Sequence, residues 1–104
     1  MTKDITQDEW EEMIKQDPDA IILDVRTEEE VEEGFIPGMI NYDIREGQGF
    51  LDNLKKLDTN KNYYVYCRSG ARSGQACHIM DQQGFKNAYN LIGGFMNWDG
   101  ETEE

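Results

Sequence analysis

Basic residues are scarce in this chain: ten lysines and arginines face 22 aspartates and glutamates over 104 residues, a formal net charge of −12. That balance excludes the positive surface on which binding to nucleic acid or an anionic membrane depends. Long apolar runs are missing as well. No stretch approaches the roughly 18 residues that a bilayer span requires. The opening Met1-Thr2-Lys3-Asp4 lacks the apolar core of a signal peptide, so the expected location is the cytoplasm. Cysteine is limited to Cys67 and Cys77, and histidine to His78. Two cysteines in a chain read as intracellular point to free thiols, not a disulfide framework. With no histidine near the acidic run Glu28 to Glu33, those carboxylates read as a solvated helix face and no metal site is expected.

What is present suits one globular domain spanning residues 1–104, with 38% apolar and 31% charged residues and no internal repeat. Thr6 and Glu9 form a capping box that opens a helix, with a hydrophobic staple between Ile5 and Trp10, and Asp17-Pro18 closes it. Trp10 is assigned to the core. Ala20 to Val25 is a near-continuous apolar run, as in a parallel strand covered on both faces. Asp24 and Arg26 stand at its carboxyl end, where α/β sheets bind ligands. They are expected either to support a site there or to pair with each other.

A second capping box, Thr27 to Glu30, starts a short helix that Gly34 ends, and Pro37-Gly38 turns the chain into a short strand from Met39 to Tyr42. Arg45 to Gly49 reads as a flexible connection. Phe50, Leu51, Leu54 and Leu57 make a helical stripe, and Phe85 to Leu91 a last strand. Trp98 is expected to close the core as an aromatic plug. The acidic end, Asp99 to Glu104, has nothing apolar to bury and is expected to fray. Strands and helices alternate, which predicts a three-layer α/β domain with a mostly parallel sheet.

The chemistry concentrates in Tyr63-Tyr64-Val65-Tyr66-Cys67-Arg68-Ser69-Gly70-Ala71-Arg72-Ser73. Aromatic and β-branched residues predict a strand, Gly70 allows a tight curl, and from Ser73 the apolar spacing becomes helical through Ala76, Cys77 and Met80. Cys67 therefore lies where a strand meets a helix N-terminus, whose unpaired N–H groups favour negative charge. A thiol reacts as its thiolate, and such donors together with Arg68 and Arg72 would stabilise one. Two of the four arginines fall within five residues of this cysteine. Cys77, on the buried face of the helix, is read as structural and His78 as a surface residue.

The loop Cys67-Arg68-Ser69-Gly70-Ala71-Arg72-Ser73 resembles the active-site loop of single-domain rhodaneses, a sulfurtransferase family. Leu23-Asp24-Val25-Arg26, followed by Glu30, Gly34 and Ile36-Pro37-Gly38-Met39-Ile40-Asn41, is similar to that family's D-V-R and G-H-I-P-G-A-x-N elements. Leu91-Ile92-Gly93-Gly94-Phe95-Met96-Asn97-Trp98 is similar to its closing L-x-G-G-x-x-x-W. Phe35 stands where the family usually has histidine, a departure that bears on packing more than on chemistry. The resemblance implies a rhodanese fold with about five strands. It also implies a Cys67 persulfide held by Arg68, Ser69, Gly70, Ala71, Arg72 and Ser73, with Asp24 and Arg26 in support.

By the same resemblance the donor is thiosulfate or a persulfide and the acceptor cyanide, a small thiol or a protein thiol, with no cofactor. Four residues separate Cys67 from Arg72. Related phosphatases and arsenate reductases have five, so the loop count argues against that alternative. A non-catalytic rhodanese-like binding or regulatory module is the other. Burial of the sulfhydryl in the interior with no donors gathered round it would remove the enzyme reading. The net charge predicts a modest penalty on capture of a dianion, limited because exposed charges are screened beyond about 8 Å at physiological salt.

Overall fold

The computed structural model describes residues 2–104 and is built on a five-stranded, all-parallel sheet in the order β1-β5-β4-β2-β3. In chain order the elements are β1 (Thr2–Ile5), α1 (Gln7–Gln16), β2 (Ile21–Asp24), α2 (Glu28–Glu32), β3 (Ile40–Asn41), α3 (Gln48–Leu54), β4 (Asn62–Tyr66), α4 (Ala71–Gln82) and β5 (Asn87–Leu91). Short 3₁₀ turns occupy Ile44–Glu46 and Phe95–Asn97. This is the α/β architecture that the alternation of elements predicts and the strand number that the resemblance implies.

Both faces of the sheet are covered, and β4 shows why its sequence is apolar at every step. Successive side chains of a strand point to opposite faces. Tyr63, Val65 and Cys67 enter one core with Phe50 and Leu54 of α3 and Ala76, Cys77 and Met80 of α4. Tyr64 and Tyr66 enter the other with Ile5, Trp10 of α1, Ile36 and Leu91. Trp10 is fully buried, meeting Tyr64, Tyr66 and Trp98 edge to face at centroid distances of 6.2, 6.1 and 5.4 Å. Trp98 is thus the plug the sequence suggests.

Both capping boxes form: Thr6 with Glu9 on α1, and Thr27 with Glu30 on α2. Two local expectations are corrected, and one strand has no counterpart in the sequence reading. Thr2–Ile5 is an edge strand paired in register with Ala88–Leu91, whereas only Ile5 carries an apolar signal. The Arg45–Gly49 connection is ordered, since Asp43 caps a 3₁₀ turn and α3 begins at Gln48. The acidic end does not fray throughout: Phe35 and Glu103 exchange both backbone hydrogen bonds at 2.8 and 2.9 Å, and Asp99 bonds Gln7 through its backbone N–H and its carboxylate.

The connections define where a ligand can sit. From β2 the chain runs by α2 to β3 on one side, and from β4 it runs by α4 to β5 on the other. The chain therefore changes direction between the adjacent strands β2 and β4, and the crevice at their carboxyl ends is the ligand position in sheets of this kind. Residues 67–73 and 24–26 both lie there. Among the described residues no helix is long and apolar enough to cross a membrane.

Candidate active site

Cys67 follows directly on the last residue of β4, and α4 begins four residues later at Ala71. Between them Gly70 adopts φ +105°, a left-handed conformation that side-chain-bearing residues rarely take, and this folds the loop back over the sulfur. The Gly70 N–H points at Cys67 Sγ from 3.1 Å, and the Ser73 hydroxyl lies 3.3 Å from it. Burial alone would raise the thiol. The Ser73 side chain and the backbone N–H groups of Ser73, Gly70 and Ser69 outweigh it, and the net result is a lowered pKa. The donors that favour the thiol's ionised form are a ring of neutral dipoles at a helix N-terminus.

The residue is nevertheless 0% exposed. Arg68 and Ser69, which follow it in the chain, are exposed. The interior position foreseen as damaging is present, but the donors whose absence would have completed that case are also present.

A polar chain runs from the sulfur to the exposed sheet edge at Asp4. Ser73 Oγ is 2.5 Å from Asn90 Oδ1, and Asn90 Nδ2 donates to Asp4 Oδ1 at 3.0 Å and to the Gly70 carbonyl at 3.2 Å. These two donations fix the amide so that its oxygen faces Ser73. The single hydroxyl hydrogen of Ser73 thus has two acceptors, the amide oxygen and the sulfur.

Arg72 does not face the sulfur unencumbered. Its guanidinium grips the Glu30 carboxylate with two bonds of 2.7 and 2.8 Å, a bidentate pairing between α4 and α2. The hydrogen bond from Arg72 is the largest influence on Glu30 and lowers its pKa to about 2. Arg68 lines a hollow of about 440 Å³ together with Arg26, Glu30, Glu33, Phe95 and Met96.

Asp24 and Arg26 are both buried and pair with each other. Arg26 Nη2 donates to Asp24 Oδ2 at 2.7 Å, and its Nε lies 3.0 and 3.1 Å from the two carboxylate oxygens. The same guanidinium donates to the Gly34 carbonyl at 2.7 Å and lies 4.4 Å from the centroid of the Phe95 ring. Their hydrogen bonds fix the segment after α2, and the guanidinium reaches the Cys67 loop only indirectly, through the Tyr66 and Phe95 rings that it faces.

The family model for a rhodanese-like domain matches residues 6–101. The chain belongs to the rhodanese-like domain family. It is 42% identical to the provisionally named sulfurtransferase YtwF of Bacillus subtilis, covering 97% of this chain and 94% of that protein. It is 35% identical to the thiosulfate sulfurtransferase GlpE of Coxiella burnetii, over 94% and 88% of the two chains. A rhodanese-like domain protein of known structure from Staphylococcus aureus superposes with a TM-score of 0.82 at 32% identity, covering 95% of this chain and 93% of that one. The domain also occurs within longer relatives: the tRNA uridine(34) hydroxylase of a Wolbachia species is 34% identical over 95% of this chain but only 41% of its own length.

In this rhodanese-like chain three residues have roles at the site that the sequence does not assign to them. Glu30 was read as part of a solvated acidic face, and no signal in one sequence places it against Arg72, 42 positions away. Asn90 reads as an ordinary strand residue, its only signal being a polar side chain in an otherwise apolar strand end. Gly94 is a steric necessity: a Cβ there would lie 2.4 Å from the Arg68 carbonyl oxygen and 2.7 Å from that of Cys67. The following turn then clamps the loop, with Phe95 N–H bonded to the Cys67 carbonyl at 2.8 Å and Met96 N–H to that of Arg68 at 3.0 Å. Cys77 is buried, and burial pushes its thiol up to about 12, which suits a structural residue; His78 is exposed.

Proposed function

We propose that this chain is a sulfurtransferase that carries a sulfane sulfur on Cys67, as a single catalytic domain. The observation that carries the reading is the Cys67 sulfur at the N-terminus of α4 with Gly70 N–H at 3.1 Å and the Ser73 hydroxyl at 3.3 Å. In the first half-reaction the thiolate attacks the outer sulfur of thiosulfate or of a persulfide. A new S–S bond forms to Cys67, the donor's S–S bond breaks, and its electron pair leaves on sulfite or on a thiolate. The Cys67 persulfide that results is again a monoanion, served by the same N–H groups from Arg68 to Ser73. In the second half-reaction cyanide, or the thiolate of a small molecule or of a protein, attacks the outer sulfur, the S–S bond to Cys67 breaks, and its electron pair returns the Cys67 thiolate. Neither half moves a proton that requires a separate base, and neither calls for a metal or organic cofactor. A reducing cytoplasm suits two free cysteines.

The loop of four residues between Cys67 and Arg72 supports a sulfur-sized cradle over the larger one of phosphatases and arsenate reductases. A second reading, a non-catalytic binding or regulatory module, is favoured by one observation, the complete burial of Cys67. Thiocyanate formation from thiosulfate and cyanide separates the two. Turnover that disappears in Cys67→Ser supports the enzyme, whereas no turnover with thiosulfate or with an organic persulfide supports the module.

A further inference from the structure

The arginines around the mouth do not add up to a cationic site. Arg26 is held by Asp24 and Arg72 by Glu30, each at 2.7 Å. The ionised side chains that line the hollow of about 440 Å³ are Arg26, Arg68, Glu30 and Glu33, whereas Arg72 lines a second hollow with Arg45. The first hollow thus carries two guanidinium groups and two carboxylates, and the formal charge of its lining is zero. The Glu30–Arg72 pair is the one that adjoins the sulfur's own loop. Its side chains remain 27% and 21% exposed, so they line the approach without being sealed from it. What faces an incoming donor is a ring of N–H dipoles suited to one negative charge, beside a guanidinium already neutralised, on a protein of net charge −12.

We infer that Glu30 is a specificity-determining residue: by neutralising Arg72 it biases the Cys67 site toward sulfane donors carrying one negative charge or none, and against the thiosulfate dianion. This rests on the persulfide reading of Cys67. Two donors isolate the charge, because both present the same sulfane sulfur bonded to an oxidised one. Thiosulfate is a dianion that releases sulfite; methanethiosulfonate is a monoanion that releases methanesulfinate. In each case the Cys67 thiolate forms the new S–S bond and the old S–S electron pair leaves with the oxidised fragment, so overall charge is conserved. The oxidised fragment differs in charge by one unit. A unit charge about 8 Å away, at an effective dielectric between those of protein and water, changes a rate by about fivefold.

Glu30→Gln removes the charge while keeping an amide oxygen for the Thr27 cap and the Arg72 contact. Arg72→Gln does the reverse, leaving Glu30 uncompensated. The readout is the single-turnover rate at which one sulfur appears on Cys67 by intact mass, for each donor with each form of the protein. The expected result is a thiosulfate-to-methanethiosulfonate rate ratio that rises about fivefold in Glu30→Gln and falls in Arg72→Gln. A merely structural pair would slow both donors together and leave the ratio alone. A ratio unmoved within twofold in both variants, while both donors load the unmodified protein, overturns the role of Glu30 alone. Failure of both donors on the unmodified protein overturns the persulfide reading, and this inference with it.

Discussion

Replacing Ser73 with alanine removes a hydroxyl that sits 3.3 Å from the Cys67 sulfur while leaving the backbone ring in place. A hydrogen bond to an ionised group contributes about 1.5–3 kcal/mol. Lost from the thiolate alone, that energy reduces its share at a given pH and slows its alkylation by about tenfold or more. Two features of the site argue for the lower end. The bond is long, and the hydroxyl has only one hydrogen, for which Asn90 Oδ1 at 2.5 Å also competes. Backbone N–H groups of Ser69, Gly70 and Ser73 continue to favour the thiolate. The expectation is therefore a raised thiol pKa, with alkylation near neutral pH slowed by about tenfold. The assay is the pH dependence of alkylation by iodoacetamide, which reports the thiolate fraction. Cys77 stays silent in it, being buried and pushed up to about 12. An inflection unchanged or lowered in Ser73→Ala would refute the reasoning, because it would mean that the hydroxyl hydrogen resides on Asn90 and that backbone dipoles alone set the thiolate.

Other outcomes follow from the same contacts. Glu30 falls from its ordinary 4.5 to about 2 in the fold, so its contribution to stability is complete above about pH 4.5 and fades as pH falls toward 2. Discounted for its partial exposure, that contribution is about 1–2 kcal/mol; the Tm difference between the unmodified protein and Glu30→Gln should shrink across that window, and a constant difference would contradict it. Gly94→Ala places a methyl group against two backbone carbonyl oxygens at a residue with φ +59°; a loss of about 2–4 kcal/mol in denaturant melts is expected, and a loss under about 0.5 kcal/mol would contradict the close approach. Thiosulfate loading should speed up as salt is added at low ionic strength, because the net charge of −12 repels the dianion; a flat or falling rate contradicts this.

Much of the fold was legible because local chemistry and tertiary structure agree. The two Thr-x-x-Glu boxes, the apolar runs of β2 and β4 and the turn at Gly70 are all decided within a few residues, and each forms as read. β1 escaped because Thr2, Lys3 and Asp4 are exposed at a sheet edge; its pairing with β5 comes from the arrival of a strand 86 positions away, which no local pattern encodes. In the site, the order of Cys67, Gly70 and Ser73 along the chain gave the cup. The charge balance was misjudged, because Arg72 was counted as available to an anion. Its partner Glu30 belongs to another helix, and its capping role masked the second contact that its carboxylate makes. The Ser73–Asn90–Asp4 chain was hidden for the same reason, since it joins α4, β5 and β1 across up to 86 positions.

The central claim is that the Cys67 cup holds one additional sulfur, and intact-protein mass spectrometry with peptide mapping tests it most directly. After incubation with thiosulfate or methanethiosulfonate, one sulfur should appear on Cys67, cyanide should remove it, and Cys67→Ser should acquire none. An unmodified Cys67 with every sulfane donor, or a stable phosphocysteine at that position, would contradict the account.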